Sequence, residues 1–101
     1  MVIFAVNGSH TPESCPMFNE EVKKKLKETV AKRKEVAEKH GVKILSSYVS
    51  RLDHRVLSIV EAPSQEAVEN YYVEAGLASW SSIEIRQVKS TEDVIKKVLG
   101  E

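Results

Sequence analysis

Two stretches of this sequence are apolar on both faces of an extended chain, and nothing else in it constrains the fold as strongly. In Met1–Val6, Val2, Phe4 and Val6 point one way while Ile3 and Ala5 point the other. In Arg55–Ala62, Val56 and Val60 share one face and Leu57 and Ile59 the other. Strands of this kind belong in the middle of a sheet, with something packed on each side. The chain has 101 residues, enough for a single domain, 1–101, with one hydrophobic core. Whatever covers both faces of two central strands has little chain left to come from.

The remaining elements follow from periodicity and punctuation. Phe18–Lys39 is predicted to be a long helix, because Phe18, Val22, Leu26, Val30 with Thr29, Val36 and Ala37 recur three and four residues apart as one stripe. Its other face carries the Glu-before-Lys pairs Glu20–Lys24, Glu21–Lys25, Glu28–Lys32 and Glu35–Lys39. Pro16 suits a first helical turn, and Gly41 suits a left-handed stop. Val42–Ser50 alternates as a strand, with Ile44 and Tyr48 on one face and Leu45 and Val49 on the other. The short Arg51–His54 segment makes an antiparallel hairpin with Arg55–Ala62. Ser64 is expected to cap a second helix to about Ala75 that buries Ala67, Val68, Tyr71, Tyr72 and Ala75. Ile83–Lys89 is the last strand, and Thr91 is expected to cap a short amphipathic tail helix bearing Val94, Ile95, Val98 and Leu99.

The order is β-α-β-β-α-β followed by a helix, so the fold class is α+β. Right-handed crossovers turn that order into a ferredoxin-like split βαβ with a four-stranded antiparallel sheet and both helices on one face. The first and third strands are central in that topology, and they are the two that are apolar on both sides. The apolar residues of the uncovered face call for a partner, and a second copy of the chain, sheet to sheet, is the simplest one. The expected partner is therefore the protein itself, as a homodimer through the sheet face.

Particular segments carry a resemblance as well. Gly41-Val42-Lys43-Ile44-Leu45 opens the second strand, Ile59-Val60-Glu61-Ala62 closes the third, and Trp80 precedes the fourth. With the element order, these resemble the dimeric α+β barrel superfamily, and most of all a small, uncharacterised prokaryotic branch of it. The resemblance implies a dimeric ferredoxin-like barrel with sites between sheet and helices or inside the barrel. The superfamily spans isomerases, small monooxygenases, haem-degrading enzymes and regulatory effector domains, and no catalytic motif of any of them carries over onto this sequence.

Composition narrows the partners. Fifteen Lys+Arg balance fifteen Asp+Glu, which argues against nucleic acid and against a membrane surface, since both require a cationic face. The apolar run at Met1–Val6 is far short of the roughly 20 residues that span a bilayer, and no basic segment marks it as a secretion leader. A single cysteine rules out an internal disulfide and fits a reducing cytoplasm. Lys and Glu dominate the charged residues while Gln is confined to Gln65 and Gln87, a heat-adapted bias that suggests a thermophile. Glycine-rich phosphate loops, CxxC pairs and the aromatic strands of an RNA-recognition motif are all missing, and the Lys23-Lys24-Lys25 run is offset by glutamates.

Chemistry concentrates in Asn7–Met17, a connection too long for an ordinary strand-to-helix turn. It holds Cys15 and His10. Placed before Pro16 at an expected helix start, Cys15 would have unpaired N–H groups and the helix dipole favouring its thiolate. His10 and Cys15 are thus candidates for catalysis, or for a metal site, where two ligands alone would need a third from elsewhere. The plainer reading makes Cys15 a small buried hydrophobe and His10 a loop-ordering residue. His40 ends the first helix, where a cation meets the dipole. His54 is expected to be exposed in the hairpin turn, serving a pocket only if the turn folds over one. Tyr48 with Ser46 is expected in a sheet-face cavity, and Trp80 to line a pocket or seal an interface, so Tyr48, Trp80 and His54 are the candidate ligand-binding residues. Three functions remain open: a homodimer binding a small molecule or ion near His10 and Cys15, a small cofactor-poor monooxygenase- or isomerase-like enzyme, and an interaction module without a site. The sequence names no cofactor.

Overall fold

The computed structural model describes residues 1–100. Its elements are β1 (Val2–Ser9), α1 (Glu20–His40), β2 (Lys43–Ser50), β3 (Arg55–Ala62), α2 (Gln65–Glu74), β4 (Ser82–Val88) and α3 (Thr91–Leu99), with short 3₁₀ turns at Pro12–Ser14 and Leu77–Ser79. The sheet order is β2-β3-β1-β4, antiparallel throughout, so β1 and β3 are the central strands as their two-sided patterns predict.

The register assigns the two faces. Phe4 pairs with Val60 and Val6 with Ser58, and these residues point under the helices. Phe4, Val6, Val60 and Val68 are fully buried, packed with Val36, Val42, Tyr71, Tyr72 and Ala75. Burying such a cluster is the main favourable term, on the order of 1.5–3 kcal/mol per large side chain. Thr29 is the buried polar exception on α1, and its hydroxyl donates to the carbonyl of Ala75, tying α1 to the end of α2. The opposite face carries Ile3, Ala5, Leu57, Ile59 and Tyr48 by the same register, with Leu57 42 % exposed and Ile3, Ala5 and Ile59 half-buried.

Several element ends differ from expectation. β1 runs on to Ser9 because Asn7, Gly8 and Ser9 find ladder partners on both sides, β3 and β4, which outweighs their turn preference. α1 begins at Glu20, where the Asn19 side chain accepts from the Val22 N–H. Phe18 lies ahead of that cap and is exposed, outside the predicted stripe. Gly41 ends α1 in the left-handed conformation at φ 69°, and Ser64 caps α2, both as predicted. Ser90 rather than Thr91 caps α3. None of the predicted Glu–Lys pairs along α1 is closed; Lys39, expected to pair with Glu35, reaches Glu74 on α2 at 3.0 Å. A bulge at Leu45 breaks the alternation of β2, so Ile44 pairs with Val60 under the helices while Tyr48 pairs with Leu57 on the open face. Ile44 and Tyr48 therefore do not share a face. None of the residues of α3 is buried, and its apolar Val94, Ile95, Val98 and Leu99 stand exposed.

Candidate functional site

The antiparallel pairing of β1 with both neighbours dictates where the chemistry gathers. Ser9, the last residue of β1, lies beside Arg55, the first of β3, and beside Ser82, the first of β4. The residues flanking those three positions, His10, His54 and the segment ending at Ser81, must meet at that end of the sheet. The His10 N–H donates to the His54 carbonyl at 3.1 Å and adds one more rung to the ladder. His54 sits at φ 57°, a left-handed conformation that costs a non-glycine residue about 1–3 kcal/mol and persists only where its surroundings hold it. The two imidazoles meet edge to face with ring centroids 5.2 Å apart. The Trp80 ring centroid lies 5.4 Å from that of His10. Trp80 is held there by its loop, where the Ser81 hydroxyl donates to the Leu77 carbonyl at 2.6 Å.

Cys15 arrives by a different route from the one its sequence context suggests. It closes the Pro12–Ser14 turn, in which Thr11 and Ser14 cap each other reciprocally. The Cys15 carbonyl accepts from the N–H groups of Phe18 and Asn19 at 3.0 and 2.8 Å, and the Asn19 amide donates to the Glu13 carbonyl at 2.9 Å. This compact knot turns the thiol inward, with only 3 % of Cys15 exposed. α1 starts five residues later, at Glu20, so Cys15 is not at the helix start and Pro16 is not in its first turn.

The result is a cluster. The ligating atoms of His10, Cys15 and His54 all lie within 4.8 Å of one another. His10 Nε2, His54 Nδ1 and Trp80 Nε1 are buried and have no hydrogen-bond partner. Buried polar atoms are almost always satisfied, so three orphans side by side require an explanation. Burial first, and the neighbouring His54 imidazole second, hold the His10 pKa below its usual value, favouring the neutral ring that can ligate an ion.

His10 and Trp80, but not Cys15 or His54, also line a cleft of about 820 Å³ between α1 and the helix-side face of the sheet. Leu26 and Val30 of α1 line it from above, and Val49, Val56 and Ile83 of the sheet from below. Val30, predicted to be core, is 52 % exposed because its stripe looks into this cleft. Its uncharged polar groups include His10, Trp80, Thr29, Ser81, Tyr71, Ser47 and Ser58, whose hydroxyls are 2.8 Å apart, and the Tyr72 phenol, whose pKa burial pushes up to about 12. Arg33, Lys34, Lys43 and Glu38 are its charged residues.

Of the candidates read from sequence, His10, Cys15, His54 and Trp80 come together. His54, expected to be exposed, is drawn in by the rung to His10. Tyr48 is 67 % exposed on the opposite face of the sheet and does not reach the cluster. The charged and apolar cleft residues of α1 gave no separate signal in sequence, because a helix stripe facing a cleft has the same spacing as one facing a core. His40 bonds Glu74 at 3.1 Å, consistent with its reading as a helix-end residue.

No protein-family model matches the chain. No curated protein matches it either. Among solved structures it is similar to SCO4226 from Streptomyces coelicolor A3(2), at TM-score 0.54 and 16 % identity over 87 % of this chain and 98 % of that one. It is also similar to a de novo designed protein, Ferredog-Diesel, at TM-score 0.50 and 18 % identity over 85 % of this chain and 84 % of the design. These likenesses support the ferredoxin-like fold. Among the described residues, no helix is long and apolar enough to cross a membrane.

Proposed function

We propose that this protein is a metal-binding protein of ferredoxin-like fold, holding one divalent transition ion through His10, Cys15 and His54. One observation carries the reading: His10, Cys15 and His54 bring ligating atoms within 4.8 Å of one another, and each imidazole has a buried nitrogen without a partner. Two imidazoles and a thiolate form a borderline-to-soft donor set, suited to zinc, cobalt, nickel or copper rather than to calcium or magnesium. The left-handed backbone at His54 is compatible with the same reading, since strained residues cluster at functional sites.

The working unit is proposed to be a homodimer. The support is the partly exposed apolar face bearing Ile3, Ala5, Leu57 and Ile59, together with an amphipathic α3 that buries none of its apolar residues. No nucleic-acid partner is proposed, because the formal charge is zero.

Equilibrium dialysis against zinc or nickel tests the centre. One ion per chain is expected in the wild type, with Cys15→Ser and His54→Ala each lowering affinity more than about 100-fold. Undiminished binding by both variants refutes the assignment. For the dimer, sedimentation at micromolar concentration is expected to give twice the chain mass, and a monomer there refutes it.

A further inference from the structure

We propose that the cleft between α1 and the sheet binds an anion with an apolar body, of the fatty-carboxylate class, with its head at Arg33. This site is independent of the metal centre. Leu26, Val30, Arg33 and Ala37 all line the cleft and follow one another four, three and four residues apart. They form one stripe of α1, so Arg33 stands at a position where the spacing calls for an apolar residue. A cation placed there calls for an opposite charge. Among the described residues the salt bridges join Lys39 and His40 to Glu74, and none reaches Arg33. Glu38 is the one carboxylate residue lining the cleft, and it bridges to neither Arg33 nor Lys34. Lys43 stands opposite Glu61 in the ladder, so Arg33 and Lys34 carry the unbalanced charge, which favours an anion. Burial raises the Tyr71 pKa and the Arg33 charge draws it back, which places the guanidinium near a phenol of the cleft lining. The floor supplies a further donor. Ser47 and Ser58 pair across β2 and β3 with hydroxyls 2.8 Å apart, and the bond between them uses one hydroxyl hydrogen and leaves the other to donate. The remaining walls are apolar: Val30 and Val49, 52 % and 65 % exposed, line the space with Leu26, Val56 and Ile83. Apolar walls with a few polar groups around about 820 Å³ are the make-up of a small-ligand site.

Calorimetry on the full chain with decanoate, hexanoate and decanol tests the site. One decanoate per chain is expected, bound at least about tenfold tighter than hexanoate because more methylenes enter the cleft. Decanol keeps the apolar chain without the charge and is expected to bind at least about tenfold more weakly than decanoate. Arg33→Gln is expected to weaken decanoate by about 10–100-fold, as loss of a hydrogen bond to a charged group does, and to leave decanol within about threefold. Val30→Trp, which fills the cleft, is expected to weaken both ligands with the circular dichroism unchanged. Arg33 and Val30 are both exposed, so neither substitution disturbs the core. Absence of decanoate binding overturns the inference, and so do several equivalents per chain, which mark adsorption to the surface. An Arg33→Gln variant that binds decanoate normally overturns it as well, as does a Val30→Trp variant that binds both ligands normally. Decanoate affinity that falls as the chain self-associates also overturns it and assigns the cleft to a second copy.

Discussion

Histidines occupy two ends of this molecule in opposite circumstances. At the end of α1, His40 Nε2 donates to Glu74, which Lys39 also reaches, and the imidazole is satisfied by the fold itself. At the end of β1, His10 and His54 are drawn together against Trp80, and their buried nitrogens find nothing. The contrast separates structure from function better than residue type does. The His40 group closes an electrostatic triad between two helices. The His10 group is held together with His54 in a left-handed conformation, and the protein itself supplies no partner for its buried nitrogens.

The sharpest way to break this comparison is metal affinity. His10→Ala is expected to lower zinc affinity more than about 100-fold, while His40→Ala leaves it unchanged by dialysis. Equal losses would erase the distinction. Thermal unfolding reads the same contrast less steeply. Free zinc at about 100 times its dissociation constant adds about 2.7 kcal/mol, which raises the wild-type Tm by roughly 10–20 °C in a domain of this size. His54→Ala is expected to show no such rise, and His40→Ala the full one.

A third comparison concerns the metal-free protein. His54→Gly relieves the left-handed backbone and is expected to be as stable as wild type or up to about 1 kcal/mol more stable, by denaturant unfolding, although it binds no ion. His40→Ala, which removes one of the two side chains that hold Glu74 and leaves Lys39, is expected to be slightly less stable than wild type.

The smallest effect is in pH dependence. His10 is held below its ordinary pKa by burial, so its contribution to stability is complete above about pH 6.5 and is lost as pH falls through the lowered value. Glu74 is held below its ordinary value by hydrogen bonds from His40 first and Lys39 next, so its contribution is complete above about pH 4.5 and is lost at lower pH. Unfolding free energy measured against pH is expected to show both windows in the metal-free protein. His10→Asn removes the upper one and Glu74→Gln the lower.

Much of this was legible in sequence because it depends on period and order. The double-sided patterns of Met1–Val6 and Arg55–Ala62 identify the central strands, and Ser64 and Gly41 mark helix ends correctly. What was not legible depends on registers between distant segments. Cys15 before Pro16 looks like a helix start until Asn19 is seen to cap α1. Tyr48 changes face because of a single extra residue at Leu45, and bulges leave no mark in an alternation count. His54 looks exposed in a hairpin turn, yet the topology already held the answer: once β1 and β3 are antiparallel neighbours, the residue after one and the residue before the other must be adjacent.

X-ray absorption at the zinc edge of the loaded protein tests the central claim most directly. A first shell with one sulfur at about 2.3 Å and two imidazole nitrogens at about 2.0–2.1 Å is the predicted result. A shell of oxygen and nitrogen alone, with no sulfur, would contradict it.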